Sequence, residues 1–110
     1  MKKVKARKPQ TPRYGHGPIT MERVVGFPFT KAGQFFYEMD EERRRTIIIA
    51  IPRSKDLTSF TACDWTIGHK NHCDAQWSWN GNKSKPTLTP SLHWIGAWHG
   101  WVKDGVLVEA

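Results

Sequence analysis

Long apolar runs are missing from this 110-residue chain. Nothing approaches the ~18 apolar residues that a membrane-spanning helix needs, and the longest pure run, residues 47–51, is strand-sized. No membrane partner is therefore expected. Met1-Lys2-Lys3 resembles the basic start of a secretory signal, but no apolar stretch follows before Pro9 and Pro12, so export is not expected. Cysteine is scarce too, with two residues and no Cys-x-x-Cys knuckle. Without an export signal, Cys63 and Cys73 read as thiols or metal ligands rather than as a disulfide. A helical apolar period of about ten residues is also absent, which leaves a mainly β chain.

Enzyme signatures are equally sparse. Ser91 and His93 stand two apart, which in a strand puts them on one face, but no acid is placed in sequence to orient the histidine. Asp40, Glu41 and Glu42 read as a solvated charged turn, and Gly15-His16-Gly17 lacks the strand and helix that flank a phosphate loop. A non-enzymatic protein is expected, with no small-molecule substrate.

What the chain has is positive charge and tryptophan. The formal charge is +7, and residues 1–55 carry 13 Lys or Arg against 5 Asp or Glu, whereas residues 56–110 carry 4 against 5. Lys2, Lys3, Lys5, Arg7, Lys8 and Arg13 lie among Pro9, Pro12, Pro18, Gly15 and Gly17, which predicts an extended basic arm over residues 1–18. Five of the six tryptophans fall within residues 77–101. They either build a small core or form a binding platform.

Residues 19–110 are expected to form one small antiparallel β domain. Residues 34–39 and 45–51 read as strands separated by a charged turn, and the β-branched run 47–51 reads as the central strand, ended by Pro52. Residues 58–61 are expected to pair beside it, residues 64–75 to form an irregular loop, and residues 76–79 a short strand before Asn80-Gly81. Residues 21–29 suggest a further short edge strand. Residues 98–103 and 106–110 flank Asp104-Gly105, a two-residue hairpin signature that pairs Trp101 with Val108 and Val102 with Leu107. His99, Trp101 and Val108 then share a face, and Trp101 reads as structural.

The candidate metal ligands are Cys63, His69, His72, Cys73, His93 and His99, four of them within eleven residues. Metal can order an irregular loop of this kind, or the cysteines can be small buried hydrophobes and the histidines exposed polar groups. Trp77-Ser78-Trp79-Asn80-Gly81, Lys85-Pro86-Thr87-Leu88-Thr89-Pro90-Ser91-Leu92 and Trp98-His99-Gly100-Trp101-Val102 with Asp104-Gly105 resemble a family of small uncharacterised bacterial and bacteriophage proteins over residues 60–110. The resemblance implies a structural zinc held by Cys63, Cys73 and His99, with His72 or His93 as fourth ligand, because the cysteine expected before the hairpin histidine is absent. It also implies a bacterial or phage origin and a cytoplasmic location in the bacterial host.

Charge and tryptophan together suggest binding to an acidic partner, nucleic acid first, through the arm, Arg43, Arg44, Arg45 and exposed Trp94 and Trp98. The competing reading is a protein-interaction module, a host-factor inhibitor or virion accessory protein docking on an acidic protein surface through its Trp-rich face.

Overall fold

The computed structural model describes residues 11–110, and within them every regular element is a strand. In chain order these are β1 (Ile19–Thr20), β2 (Glu22–Arg23), β3 (Gln34–Met39), β4 (Arg45–Pro52), β5 (Phe60–Ile67), β6 (Ser78–Trp79), β7 (Leu88–Trp94), β8 (Trp98–Lys103) and β9 (Val106–Glu109). One sheet has the order β1-β9-β8-β7-β6 and the other β2-β3-β4-β5. All pairings are antiparallel except that of β2 with β3.

Alternation along the strands explains the layering. On β4, Ile47, Ile49 and Ile51 point into a core shared with Leu88, Leu92, Trp98, Val102 and Leu107 of the other sheet. Ile48 and Ala50 point the opposite way, beneath Phe29 and Phe36. The run 47–51 is apolar throughout because both faces of this strand are covered. Burying an isoleucine or leucine side chain contributes roughly 1.5–3 kcal/mol each, so these two layers supply the main drive for folding.

Asp40 forms the expected charged turn. Its carboxylate accepts hydrogen bonds from the backbone N–H groups of Glu42 and Arg44 and from Arg44 Nε. These donors, led by the Arg44 backbone N–H, hold the Asp40 carboxyl below its usual range.

The terminal hairpin has the expected register, with Trp101 opposite Val108 and Val102 opposite Leu107. Asp104 (φ 48°) and Gly105 (φ 74°) both adopt left-handed conformations, as a type I′ turn requires. Gly100 allows a closer approach. A Cβ there would collide with the Trp98 ring and with the Val108 carbonyl oxygen, so the indole folds across bare backbone.

Three expectations change. The strand expected within residues 21–29 shrinks to Glu22–Arg23, because Met21 bonds to Gly105 and Val24 to Phe35 while Gly26 and Pro28 interrupt the remainder of the segment. Strand β5 runs on to Ile67, into the segment expected to be loop, since its inward residue Trp65 is buried in the core. Trp101 faces out, 45% exposed, because Gly100 and Val102 take the inward positions on β8.

Candidate active site

Strand β7 inserts Leu88 and Leu92 into the core, and alternation sends Ser91 and His93 to the opposite face. The next strand, β8, begins after Ile95-Gly96-Ala97, where Gly96 (φ 82°) closes a three-residue turn. That turn sets the register, pairing His93 directly with His99 and Trp94 with Trp98. Trp98 is fully buried, so His99 must face outward with Ser91 and His93. The result is diagonal contact across two strands. His99 Nε2 lies 3.0 Å from Ser91 Oγ.

The surroundings fix each member. Trp77 Nε1 donates to the Ser91 carbonyl oxygen at 3.2 Å, which anchors the backbone of the serine. The His93 ring stacks on His99 with centroids 4.2 Å apart and an interplanar angle of 23°, and the Trp101 ring lies tilted beside His99 at 5.7 Å. His93 Nε2 is in turn 2.6 Å from the Thr11 hydroxyl oxygen, which also accepts the Gly96 N–H at 3.1 Å. Thr11 is held there by its neighbours. Tyr14 donates its hydroxyl to the Ala97 carbonyl, and the Tyr14 and Gly15 N–H groups donate to the Glu109 carboxylate. His16 accepts a hydrogen bond from Trp98 Nε1 at 3.2 Å. Residues 11–17, expected as part of the arm, thus pack along the turn that carries the histidines.

Burial, and secondarily the neighbouring His93, lower the His99 pKa below the ordinary histidine value of 6.5. His99 is therefore neutral at neutral pH, the state in which an imidazole can take a proton from a hydroxyl. Ser91 is half-buried and its neighbour Pro90 is exposed, so solvent can reach the pair. A hydroxyl beside a neutral imidazole is the arrangement of an activated nucleophile.

A cleft of about 530 Å³ adjoins this centre, with His93, Trp77 and Trp94 in its wall. Cys63, His72 and Cys73 line it as well, whereas His99 sits with Ser91. Three of the four expected zinc ligands therefore share a cleft from which His99 is absent. Among the described residues no group of three or more His, Cys, Asp or Glu side chains is placed so that it could hold a metal ion. Burial pushes the Cys63 thiol up to about 12. It is protonated at neutral pH and is a poor nucleophile.

The expected binding residues scatter. Lys2, Lys3, Lys5, Arg7 and Lys8 lie outside the described residues; Arg13 and Arg43 are exposed, and Arg44 is paired with Asp40 and Glu42. Arg45 stacks over Trp79, 4.9 Å from the ring centroid, and over Tyr37. Trp94 is exposed, with Arg53 over its ring. Trp98, expected at the surface, is a core residue at 0% exposure and cannot stack on a base or a partner.

A family model described as "Bacterial ubiquitination-like system serine protease (BubE)" matches residues 36–110. The chain belongs to the BubE family. The match includes Ser91, His93 and His99 and starts well upstream of the segment likened to uncharacterised phage and bacterial proteins, whose motifs gain no support. Searches of the curated proteins and of the solved structures return no match.

BubE membership overturns three expectations: that the protein is not an enzyme, that it is a phage-type nucleic-acid binder, and that it is a mere protein-interaction module. The physical reason is that no acid stands near Ser91 and His93 in sequence. The partner of Ser91 is a second histidine, brought from the next strand. No helix of the described residues is long and apolar enough to cross a membrane.

Proposed function

We propose that this BubE-family chain is a serine protease with Ser91 as nucleophile, His99 as general base and acid, and His93 as the group that orients His99. The observation that carries this reading is the 3.0 Å contact between Ser91 Oγ and His99 Nε2, in a family described as serine proteases. Ser91 Oγ attacks the substrate carbonyl carbon as His99 Nε2 takes the hydroxyl proton. The protonated His99 then gives that proton to the departing amine, leaving an acyl group on Ser91. Water, deprotonated by His99, hydrolyses the ester and restores the hydroxyl.

His93 takes the place that an acid fills in the familiar triad, but by stacking rather than by an in-line hydrogen bond. It holds the imidazole plane, and its position is held in turn by Thr11. Two stacked imidazoles resist double protonation, which helps keep the base neutral. Its removal is expected to cost roughly tenfold to a hundredfold in kcat, less than loss of an acid partner, whose removal can cost about 10⁴.

The pH profile of kcat/KM on a protein substrate tests the base. Activity should fall as pH drops through the His99 pKa, so the acid limb should lie below the ordinary 6.5. In His93→Ala the neighbour that disfavours charge on His99 is gone, and the limb should move upward while kcat falls. An acid limb above 6.5 in the unaltered protein would contradict His99 as the base.

A further inference from the structure

Strand β5 is the outer strand of its sheet. In a strand, the N–H and C=O of one residue point to one side and those of the next to the other. Trp77 N donates to the Thr66 carbonyl and Gly68 N to the Trp77 carbonyl, so Thr66 and Gly68 turn their backbone groups away from β4. Counting back by two, Ala62 and Asp64 do the same. The intervening residues Thr61, Cys63 and Trp65 pair inward with Ile51, Ile49 and Ile47.

Trp77 occupies the outer edge at Thr66 and Gly68, and beyond it no backbone group of the described residues pairs with the edge. Ala62 and Asp64 both line the cleft that His93 and Trp94 close from the other sheet. The outward edge of Ala62 and Asp64 thus lies in a cleft whose wall includes His93, the ring stacked on His99. Trp77 links the two, since its backbone pairs with β5 and its indole holds the Ser91 carbonyl.

We infer that the free edge formed by Ala62 and Asp64 is the substrate-binding strand, on which an extended segment of a polypeptide substrate pairs through its main chain beside the scissile bond. The inference rests on the protease reading above and names the form in which substrate is taken. Edge pairing recognises backbone and so selects unfolded or extended segments over helices or folded loops. The exposed Trp94 ring offers an apolar contact to side chains of that segment.

Proline is tolerated in an edge strand where its missing N–H faces outward. Ala62→Pro therefore removes one outward donor and no bond to β4, while Ala62→Val keeps the donor. Assayed on an unstructured peptide substrate, Ala62→Pro is expected to raise KM about tenfold, the usual size of one lost hydrogen bond, with kcat little changed. A fluorophosphonate that reacts with the nucleophile directly should label wild type, Ala62→Pro and Ala62→Val at equal rates. Equal labelling with unchanged KM in Ala62→Pro would overturn the inference, and wild type that is not labelled would overturn the protease reading beneath it.

If Ala62→Pro melts early, wild type is tested with peptides in which one amide N–H at a time is replaced by an ester oxygen. Losses at alternate positions are expected, and uniform values would overturn the inference. Sedimentation of wild type and Ala62→Pro covers the remaining occupant, a second copy of the chain. A dimer that the proline splits, with KM unchanged, would assign the edge to self-association instead.

Discussion

Ser91→Ala is expected to lower kcat by at least ~10³-fold, with His99→Ala costing about as much and the double variant little more than either alone. The reason is that the two groups act as one unit: the hydroxyl is a weak nucleophile without the base, and without the hydroxyl no acyl group forms for the base to release. Thermal melting should be nearly unchanged in Ser91→Ala, because its side chain lies on the outer face of β7 while Leu92 carries the packing. Activity assays and melts of the three variants check both statements. Multiplicative losses in the double variant would mean that Ser91 and His99 act separately, and the contact of 3.0 Å between them would have no catalytic meaning.

Trp98→Ala is expected to be the most damaging substitution for stability, at roughly 3–5 kcal/mol. The ring is fully buried, lies over Gly100, and donates to His16. Its loss leaves a cavity between the sheets and an imidazole without its donor. Since a domain of this kind has about 5–15 kcal/mol in total, much of the margin disappears, and the register that pairs His93 with His99 goes with it. Trp94→Ala, four residues earlier and on an exposed site, should shift melting far less. Chemical denaturation of both variants measures the difference. Similar losses in the two would show that Trp98 is not the centre of this core.

The backbone plan could be read from residues with strong local preferences. Residues 47–51 admit little but a strand covered on both faces, and Asp104-Gly105 fixes the last hairpin to the residue. The site itself was half legible. Ser91 and His93 share a face by simple alternation, but the contact to His99 depends on which residue of β8 faces which of β7. The signal was present in Gly96, whose left-handed conformation closes the short turn between two tryptophans and so sets His93 against His99. It was obscured because serine chemistry usually brings an acid, and here a second imidazole stands in that place. Trp98 was misplaced for a related reason. Tryptophan serves core and surface equally well, and only the inward phase of β8, set by Gly100 and Val102, decides between them.

Phase errors are costly in small β proteins, because a one-residue slip exchanges every inward and outward side chain. With Trp98 outward, His99 would point into the core and the serine would have no base. The buried tryptophan and the outward histidine are thus two consequences of one register. The contact between Thr11 and His93 shows the same economy, since the segment that covers the turn also steadies the second imidazole.

The most direct test of Ser91 as an activated nucleophile is to treat the full chain with a fluorophosphonate and locate the adduct by peptide mass mapping. One adduct per chain is expected, on the peptide containing Ser91, formed quickly at neutral pH and almost absent in His99→Ala. An adduct on a different residue, or equal labelling of His99→Ala, would contradict the account.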